Sequence, residues 1–233
     1  MIPWEEIDRA KVPGQDNDLV LRRRGEELSI RTGGTELMNS RVHGSEEALA
    51  GLALDRFPQR PGLKILVGGL GMGYTLAAAL ARAPRDAEIL VSELIPAVVS
   101  WNRLYLGHQA GHPLEDPRVR VKQGDVAKEI QRDKAAWDAI LLDVDNGPAG
   151  LTRKSNNKLY TRAGLRAGFQ ALVPGGILGV WSAGDDRTFT RRLDSCGFHT
   201  EVVPVRARAG GRGSLHRVWI AEKPGPPPLG SSG

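Results

Sequence analysis

The segment from Leu63 to Glu93 constrains the fold more strongly than any other part of the sequence. It begins with the short apolar run Leu63–Val67, which is typical of a buried parallel strand. A glycine-rich stretch follows, and the Ala- and Leu-rich residues Met72–Arg82 then predict a helix. A second apolar run ends in Glu93. The pattern predicts a strand, a tight turn, a helix and a strand ending in an acid, which together form half of a nucleoside-binding site.

The glycines of this turn have the spacing G-x-G-x-G, as Gly69, Gly71 and Gly73. A dinucleotide-binding turn needs G-x-G-x-x-G/A and a P-loop needs a terminal Gly-Lys-Ser/Thr, so neither motif is present. A carboxylate at the end of the next strand, here Glu93, can accept hydrogen bonds from both hydroxyls of a ribose. The pattern therefore favours an adenosine-containing ligand. The alternative is that the glycines only allow close packing of strand and helix and that Glu93 is solvated.

Acidic residues follow three successive predicted strands. Glu93 ends the second strand, Asp125 follows the third and Asp143 ends the fourth. Because the carboxyl ends of parallel strands lie at one edge of a sheet, we expect these acids and the glycine turn to share a site. Glu93 suits a ribose, Asp125 suits an adenine amino group, and Asp143 or Asp145 would lie nearest the reacting end of the ligand.

Strands and helices alternate from Leu63 onward in five units. The last two strands, Thr200–Arg206 and Leu215–Glu222, must pair antiparallel because a short loop joins them. We predict an α/β fold with a doubly wound, Rossmann-like, seven-stranded and mostly parallel sheet, preceded by a small N-terminal β appendage. The predicted regions are the arm, hairpin and lead-in helix in residues 1–57, the sheet domain in 58–223 and a disordered tail in 224–233.

Several local features are predicted from short stretches of sequence. Residues 1–17 have the pattern of an irregular arm, and Asp18–Thr32 alternates as a hairpin does. Ser45 is placed to cap the lead-in helix, whose first turn holds two glutamates. The helix that follows Glu93 is expected to bury Leu104, and Val173–Gly176 is expected to form a tight turn before the fifth strand.

The net charge of +5 raises the question of a nucleic-acid partner. The basic residues are dispersed, without a dense stripe or interleaved aromatics, so a solvated surface is favoured over a nucleic-acid interface. No run approaches the roughly 20 apolar residues that a membrane span needs. Glu5, Glu6 and Asp8 near the N-terminus are unlike a secretory signal. We therefore expect a cytoplasmic protein with no membrane partner.

Two observations argue against a metal site. Cys196 is the single cysteine, which excludes an internal disulfide and a cysteine-based zinc site. His108 and His112 are four residues apart, but nearby glycines and Pro113 oppose the helix that would bring both imidazoles to one metal. We predict no metal.

The sequence resembles the class I S-adenosylmethionine-fold transferases and, within them, the spermidine synthase-like branch. The resemblance runs from about Glu36 to Glu222. It is carried by ILVGGLGMG, LVSELIPAVV, KQGDV, WDAILLDVDNGP and LYTRAGLRAGFQALVPGGIL, together with SEEALA before the core. The resemblance implies a sheet of the class I methyltransferase type, and it suggests a homodimer.

The resemblance also implies how a sulfonium donor would bind. The methionine portion of the donor would lie on the turn glycines, its ribose would meet Glu93, and its adenine would lie between Asp125 and Val126. Asp143 would border the acceptor. The implied donor-binding residues are Gly69, Gly71, Met72, Gly73, Glu93, Asp125 and Val126.

Two departures from the branch bear on which group is transferred. Met72 stands where spermidine synthases have an aspartate suited to an aminopropyl ammonium, and the loop after Asp143 reads Val-Asp-Asn-Gly-Pro. Without an acid at position 72, the turn does not repel the carboxylate of intact S-adenosylmethionine. We therefore expect methyl transfer from S-adenosylmethionine to an unidentified small-molecule acceptor. The alternatives are aminopropyl transfer from decarboxylated S-adenosylmethionine to an amine, and a non-catalytic scaffold that kept the fold.

The candidate catalytic residues lie in and after the loop that begins at Asp143. A sulfonium donor is already activated, so the protein must align the acceptor and remove a proton if the acceptor is an amine. Asp143 and Asp145 are the candidate base and orienter, and Tyr160 is expected to close the pocket. The alternative for the two aspartates is capping or turn formation in a Gly-Pro loop.

Overall fold

The computed structural model describes residues 2–13, 17–58, 60–144, 158–208 and 212–225. Within these ranges the strands are β1 (Glu5–Ala10), β2 (Leu19–Arg24), β3 (Glu27–Thr32), β4 (Thr35–Asn39), β5 (Lys64–Gly68), β6 (Glu88–Glu93), β7 (Val119–Gln123), β8 (Trp137–Leu142), β9 (Leu172–Ser182), β10 (His199–Arg208) and β11 (Arg212–Glu222). The α-helices are α1 (Gly44–Leu54), α2 (Tyr74–Arg82), α3 (Pro96–Trp101), α4 (Val126–Arg132), α5 (Arg162–Ala171) and α6 (Arg187–Ser195). In the described part of the chain, no helix has both the length and the apolar character needed to cross a bilayer.

The main sheet has seven strands in the order β10-β11-β9-β8-β5-β6-β7, which confirms the predicted fold. Strand β5 pairs in parallel with both β6 and β8, and β11 pairs antiparallel with β9 and β10. The chain therefore winds outward from β5 through β6 to β7 and then returns to β8 on the other side of β5. Ligands of such sheets bind beyond the carboxyl ends of the strands where this reversal occurs.

Side chains of the central strands alternate between two hydrophobic clusters, one on each face of the sheet. Ile65 and Val67 of β5 pack in the cluster formed with α1, α2 and α3, whereas Leu66 packs in the cluster formed with α4, α5 and α6. Successive residues of a strand point to opposite faces, so a continuous apolar run is what a strand covered on both sides requires.

The N-terminal residues form a second, antiparallel sheet in the order β1-β2-β3-β4. The predicted hairpin is present as β2 and β3, but the prediction of an irregular arm for residues 1–17 is wrong, because β1 pairs with β2. The sequence of β1 lacks a clear apolar pattern, because the strand buries few of its side chains. It is held by pairing and by the indole of Trp101, whose Nε1 donates to Asp8 Oδ2 at 2.6 Å.

Two predictions about helices are also wrong. Helix α1 begins at Gly44 with His43 at the N-cap position, so Ser45 does not cap it and is instead fully buried in the first turn. Leu104 is 70% exposed, because α3 continues as a π-helical segment, Asn102–Leu106, whose wider turn rotates the buried face. Leu106 takes the buried position.

The predicted tight turn at Val173–Gly176 is absorbed into β9, which starts at Leu172. The main chain of Lys223 pairs with both glycines of this stretch: Gly175 N donates to Lys223 O at 2.8 Å, and Lys223 N donates to Gly176 O at 2.9 Å. Main-chain pairing with Lys223, which follows β11, therefore extends β9 through residues that locally favour a turn. Gly175 keeps a positive φ of 77°.

Replacing Gly69 by alanine should destabilise the protein more than replacing Gly34 by alanine. The two glycines have nearly the same positive φ, 85° and 82°, so this left-handed φ costs an L-residue about 1–2 kcal/mol at each. A Cβ at Gly69 would lie 2.5 Å from the carbonyl oxygen of Asp143, whereas one at Gly34 meets nothing within 4 Å. We expect a further loss of about 1–3 kcal/mol for Gly69→Ala alone, measured by denaturant unfolding. Equal losses in the two variants would contradict the assigned contact.

Candidate active site

The glycine turn lies where the winding of the sheet reverses, between the ends of β5 and β8. Gly69 N donates to the carbonyl oxygen of Ser92 on β6 at 2.9 Å, and Asp143 N donates to the carbonyl oxygen of Gly68 at 2.9 Å. Gly73, with φ of 89°, occupies the N-cap position of α2. The turn, the end of β6 and the end of β8 therefore meet at one edge, as the sequence predicts.

Glu93 is buried, and its carboxylate fixes the turn from behind. Oε2 accepts from Leu70 N at 2.8 Å, and Oε1 accepts from Ile95 N at 2.8 Å. A carboxylate oxygen has more than one acceptor site, so both oxygens can still receive a ribose hydroxyl. The main-chain role was not expected from the sequence, and the ribose role stays a prediction.

A cavity that we call the turn cavity opens beside these residues. Its floor includes Gly69, Gly71, Glu93 and Asp125, and its lining also includes Val126 and Asp143. Its roof comes from the N-terminal sheet, through Leu19, Ile30, Leu37 and Met38. An apolar enclosure with a few polar groups at one end is typical of a small-molecule site.

Asp125 has a structural role in addition to its place in the turn cavity. Its Oδ1 accepts from Ala127 N at 2.9 Å and so caps α4. The predicted contact with an adenine amino group is compatible with this cap, because a carboxylate has two oxygens. Val126 follows directly, is buried and lines the same cavity.

A second cavity, which we call the acidic cavity, adjoins the turn cavity and shares Leu37, Met38, Gly71 and Asp143 with it. Glu46 of α1 and Trp181 of β9 also line it. Two carboxylates from different elements therefore face one space next to the turn cavity.

The two carboxylates resist ionisation. Burial raises the pKa of Asp143 to about 6, although the Thr75 hydroxyl, which donates to Asp143 Oδ2 at 2.7 Å, acts in the opposite direction. Burial, and then the charge of Asp143, raises the pKa of Glu46 to about 7. In the described ranges no lysine or arginine forms an ion pair with either carboxylate. The two groups titrate as a pair.

Glu46 was not predicted as a site residue. From the sequence it is only a favourable charge in the first turn of α1, and no local spacing links it to Asp143. Met72, which was expected to define the donor tail region, does line the acidic cavity, but its side chain is 3% exposed and packs in the core. The absence of an acid at position 72 therefore does not leave the cavity without an acid.

The structure gives less information on the roles of the other two predicted catalytic residues, Asp145 and Tyr160. Asp145 lies outside the described residues. Tyr160 is buried, and its hydroxyl donates to the carbonyl oxygen of Val144 at 3.4 Å. Since Val144 lines the turn cavity, Tyr160 supports the cavity wall from behind. Its closure of the pocket stays a prediction. Among the described residues, no group of three or more His, Cys, Asp or Glu side chains could hold a metal ion.

The sheet order, the glycine turn and the acids at the strand ends define the fold of the class I S-adenosylmethionine-dependent transferases. Solved spermidine synthases share this fold over 94% of the chain. A spermidine synthase in complex with the transition-state analogue AdoDATO has a TM-score of 0.73 and 19% identity, with 72% of its own chain covered. The spermidine synthase from Thermotoga maritima has a TM-score of 0.73, 18% identity and the same coverage.

The curated sequence relatives are polyamine aminopropyltransferases. The polyamine aminopropyltransferase of Nitrosomonas europaea is 34% identical over 122 residues, which are 52% of this chain and 35% of that protein. Polyamine aminopropyltransferase 2 of Pseudomonas aeruginosa is 30% identical over 134 residues, 53% of this chain and 35% of that protein. The chain thus spans about a third of the length of the curated relatives it matches. No family model matches the chain. The expected resemblance to the spermidine synthase-like branch is confirmed.

The acid pair should make the protein less stable as pH rises. Both pKa values are higher in the folded protein than in the unfolded chain, so the folded state binds more protons between about pH 4.5 and 7. The free energy of unfolding therefore falls as pH increases through this range. Glu46→Gln should flatten this dependence and raise Tm at pH 8 by on the order of 2–4 °C, measured by calorimetry from pH 5 to 8.5.

Glu47→Gln is the matched control for this experiment. Glu47 is adjacent to Glu46, but its side chain is 46% exposed and pairs with His43. We expect the wild-type pH dependence to remain in this variant. An equally steep loss of stability in Glu46→Gln would show that the carboxyl does not carry the effect.

Proposed function

We propose that the protein transfers an aminopropyl group from decarboxylated S-adenosylmethionine to an amine. The observation that carries this proposal is the pair Glu46 and Asp143, two carboxylates that line a cavity beside the turn cavity and form no ion pair with a lysine or arginine of the described residues. Such a pair favours a cationic ligand. The names of the sequence relatives support the same choice.

The charge of the donor tail separates the two transfer reactions. Decarboxylated S-adenosylmethionine ends in an ammonium, which a carboxylate pair attracts, whereas the intact donor also carries a carboxylate, which the pair repels. The lack of an acid at position 72 favours methyl transfer only if no other acid lies near the donor tail. Glu46 of α1 lines the same cavity as Met72, which supports the aminopropyl alternative.

The proposed reaction is an in-line displacement. The acceptor ammonium gives one proton to the carboxylate pair, and the nitrogen lone pair then attacks the aminopropyl carbon bonded to sulfur. A carbon–nitrogen bond forms as the carbon–sulfur bond breaks, and its electron pair leaves with sulfur as the neutral thioether methylthioadenosine. A base whose pKa lies near the working pH is the most effective, and the raised pKa values of Asp143 and Glu46 meet this condition.

Glu46→Gln and Asp143→Asn should lower kcat/KM for aminopropyl transfer by about 10²- to 10⁴-fold. Each substitution removes a charge that binds the ammonium groups or accepts a proton, while keeping the side-chain volume. The measurement is the release of methylthioadenosine from decarboxylated S-adenosylmethionine with a panel of diamines. Glu47→Gln is the control and should keep wild-type turnover.

Other outcomes of this assay identify the other candidate functions. Transfer of a labelled methyl group from intact S-adenosylmethionine, without methylthioadenosine release, would replace the proposal with methyl transfer. Failure to bind S-adenosylmethionine, its decarboxylated form or methylthioadenosine at millimolar concentration would favour a non-catalytic scaffold.

Binding of the decarboxylated donor should expel protons from the acid pair at pH 7. An ammonium beside Glu46 and Asp143 stabilises their charged forms and lowers their pKa values. Methylthioadenosine has no ammonium, so its binding should release fewer protons. Titration calorimetry in two buffers of different ionisation enthalpy gives the number of protons released. Equal proton release for the two ligands would place the ammonium away from the pair.

A further inference from the structure

Glu46 is connected to the protein surface by two hydrogen bonds. The hydroxyl of Ser45 donates to Glu46 Oε2 at 2.6 Å, and the same Ser45 Oγ lies 2.9 Å from Nδ1 of His216 on β11. Ser45 is fully buried, so it cannot exchange protons with solvent directly. His216 is only partly buried. The three side chains therefore form a continuous path from the acidic cavity to a side chain that solvent reaches.

Trp181 separates the two ends of this path. Its side chain lines the acidic cavity, and its ring meets the His216 ring edge to face, with 4.9 Å between centroids. His216 thus lies behind the cavity wall and is not itself a lining residue. Ser45 provides the polar connection through this wall.

We infer that Ser45 and His216 form a relay that carries the proton released by the acceptor amine from Glu46 to solvent. This inference rests on the proposed function. Each turnover of an ammonium acceptor forms one secondary ammonium, one neutral thioether and one free proton. With both cavities filled by substrates, the carboxylate pair needs another way to lose that proton before the next cycle.

The transfer of the proton is balanced at each atom. In the resting arrangement the Ser45 hydroxyl donates to the Glu46 carboxylate. Once Glu46 is protonated, the serine hydroxyl rotates to donate to the unprotonated Nδ1 of His216. The acid proton of Glu46 then passes to Ser45 Oγ as the serine proton passes to Nδ1, which leaves the new hydroxyl proton directed at Glu46. The imidazolium releases a proton to water or buffer, and proton exchange with solvent returns the neutral ring to the tautomer that carries its proton on Nε2.

The protonation behaviour of His216 is compatible with this role. Burial lowers the pKa of His216, so the ring is neutral at neutral pH and able to accept. The titratable and charged groups around the path are Asp143, Glu47, His43, Tyr74 and Arg217. Glu47 and Asp143 favour retention of a proton by Glu46, whereas the Arg217 guanidinium is directed to the His216 carbonyl oxygen.

The test is His216→Asn, assayed by methylthioadenosine release at pH 7 in low buffer. The asparagine amide can still hydrogen-bond Ser45 but cannot carry a proton away. We expect kcat to fall by about tenfold or more, with unchanged affinity for methylthioadenosine, and imidazole in the buffer to restore it. His199→Asn, an exposed histidine on β10, is the matched control and should match wild type.

Two results of this assay would overturn the relay. One is wild-type kcat and wild-type buffer dependence in His216→Asn. The other is a loss of kcat that imidazole does not restore and that accompanies weaker methylthioadenosine binding, since this pattern indicates a structural role. Ser45→Ala provides a second variant, in which the path is broken between Glu46 and His216, so kcat should fall and imidazole should not restore it.

A measurement without turnover separates the relay from the proposed function. NMR titration of the His216 ring nitrogens should show a step near pH 7, where Glu46 titrates, in addition to protonation of the ring itself at lower pH. This step should be lost in Glu46→Gln and kept in His199→Asn. If the wild-type protein transfers no aminopropyl group, the proposed function is wrong. The coupling between Glu46 and the titration of His216 still shows whether the path exists. An unchanged His216 titration in Glu46→Gln would overturn the relay in either case.

Discussion

Two hydrogen bonds to one buried carboxylate hold the site together. Glu93 accepts from the main chain of Leu70 in the glycine turn and of Ile95 at the start of α3. These bonds fix the turn between β5 and α2 against the end of β6, where the closely packed Gly69 lies beside the main chain of Asp143. A hydrogen-bonded charge of this kind is costly to leave without its partners. The cavity geometry therefore depends on a residue whose sequence pattern suggests only a ligand contact.

The fold could be predicted from sequence because its determinants are local. The continuous apolar runs of β5 and β8, the Gly-rich turn and the acids at the strand ends each follow from the requirements of a sheet covered on both faces. The elements that were predicted wrongly are those decided by distant partners. Strand β1 forms by pairing with β2, and β9 is extended by Lys223, which lies almost fifty residues further along the chain.

The site residues also include some that local sequence predicts and one that distant packing decides. Glu93, Asp125 and Asp143 follow strands that the sequence identifies, so their meeting at one edge could be predicted from strand order alone. Glu46 could not be found by this reasoning, because it lies on a helix that precedes the sheet and reaches Asp143 only through packing of α1 over the strand ends. Its omission changed the expected chemistry, since the charge of the donor tail region was inferred from position 72 alone.

Part of the roof of the turn cavity and one wall of the acidic cavity come from a single short stretch of chain. Leu37 and Met38 of β4 cover the glycine turn, and Glu46 follows within the first turn of α1. The strand ends of the seven-stranded sheet and the segments that follow them supply most of the remaining walls. Substrate preference can therefore diverge by exchange of this stretch while the sheet and its glycine turn stay unchanged. A chimaera that carries the corresponding segment of a spermidine synthase would combine the electrostatics of that segment with the framework of this chain.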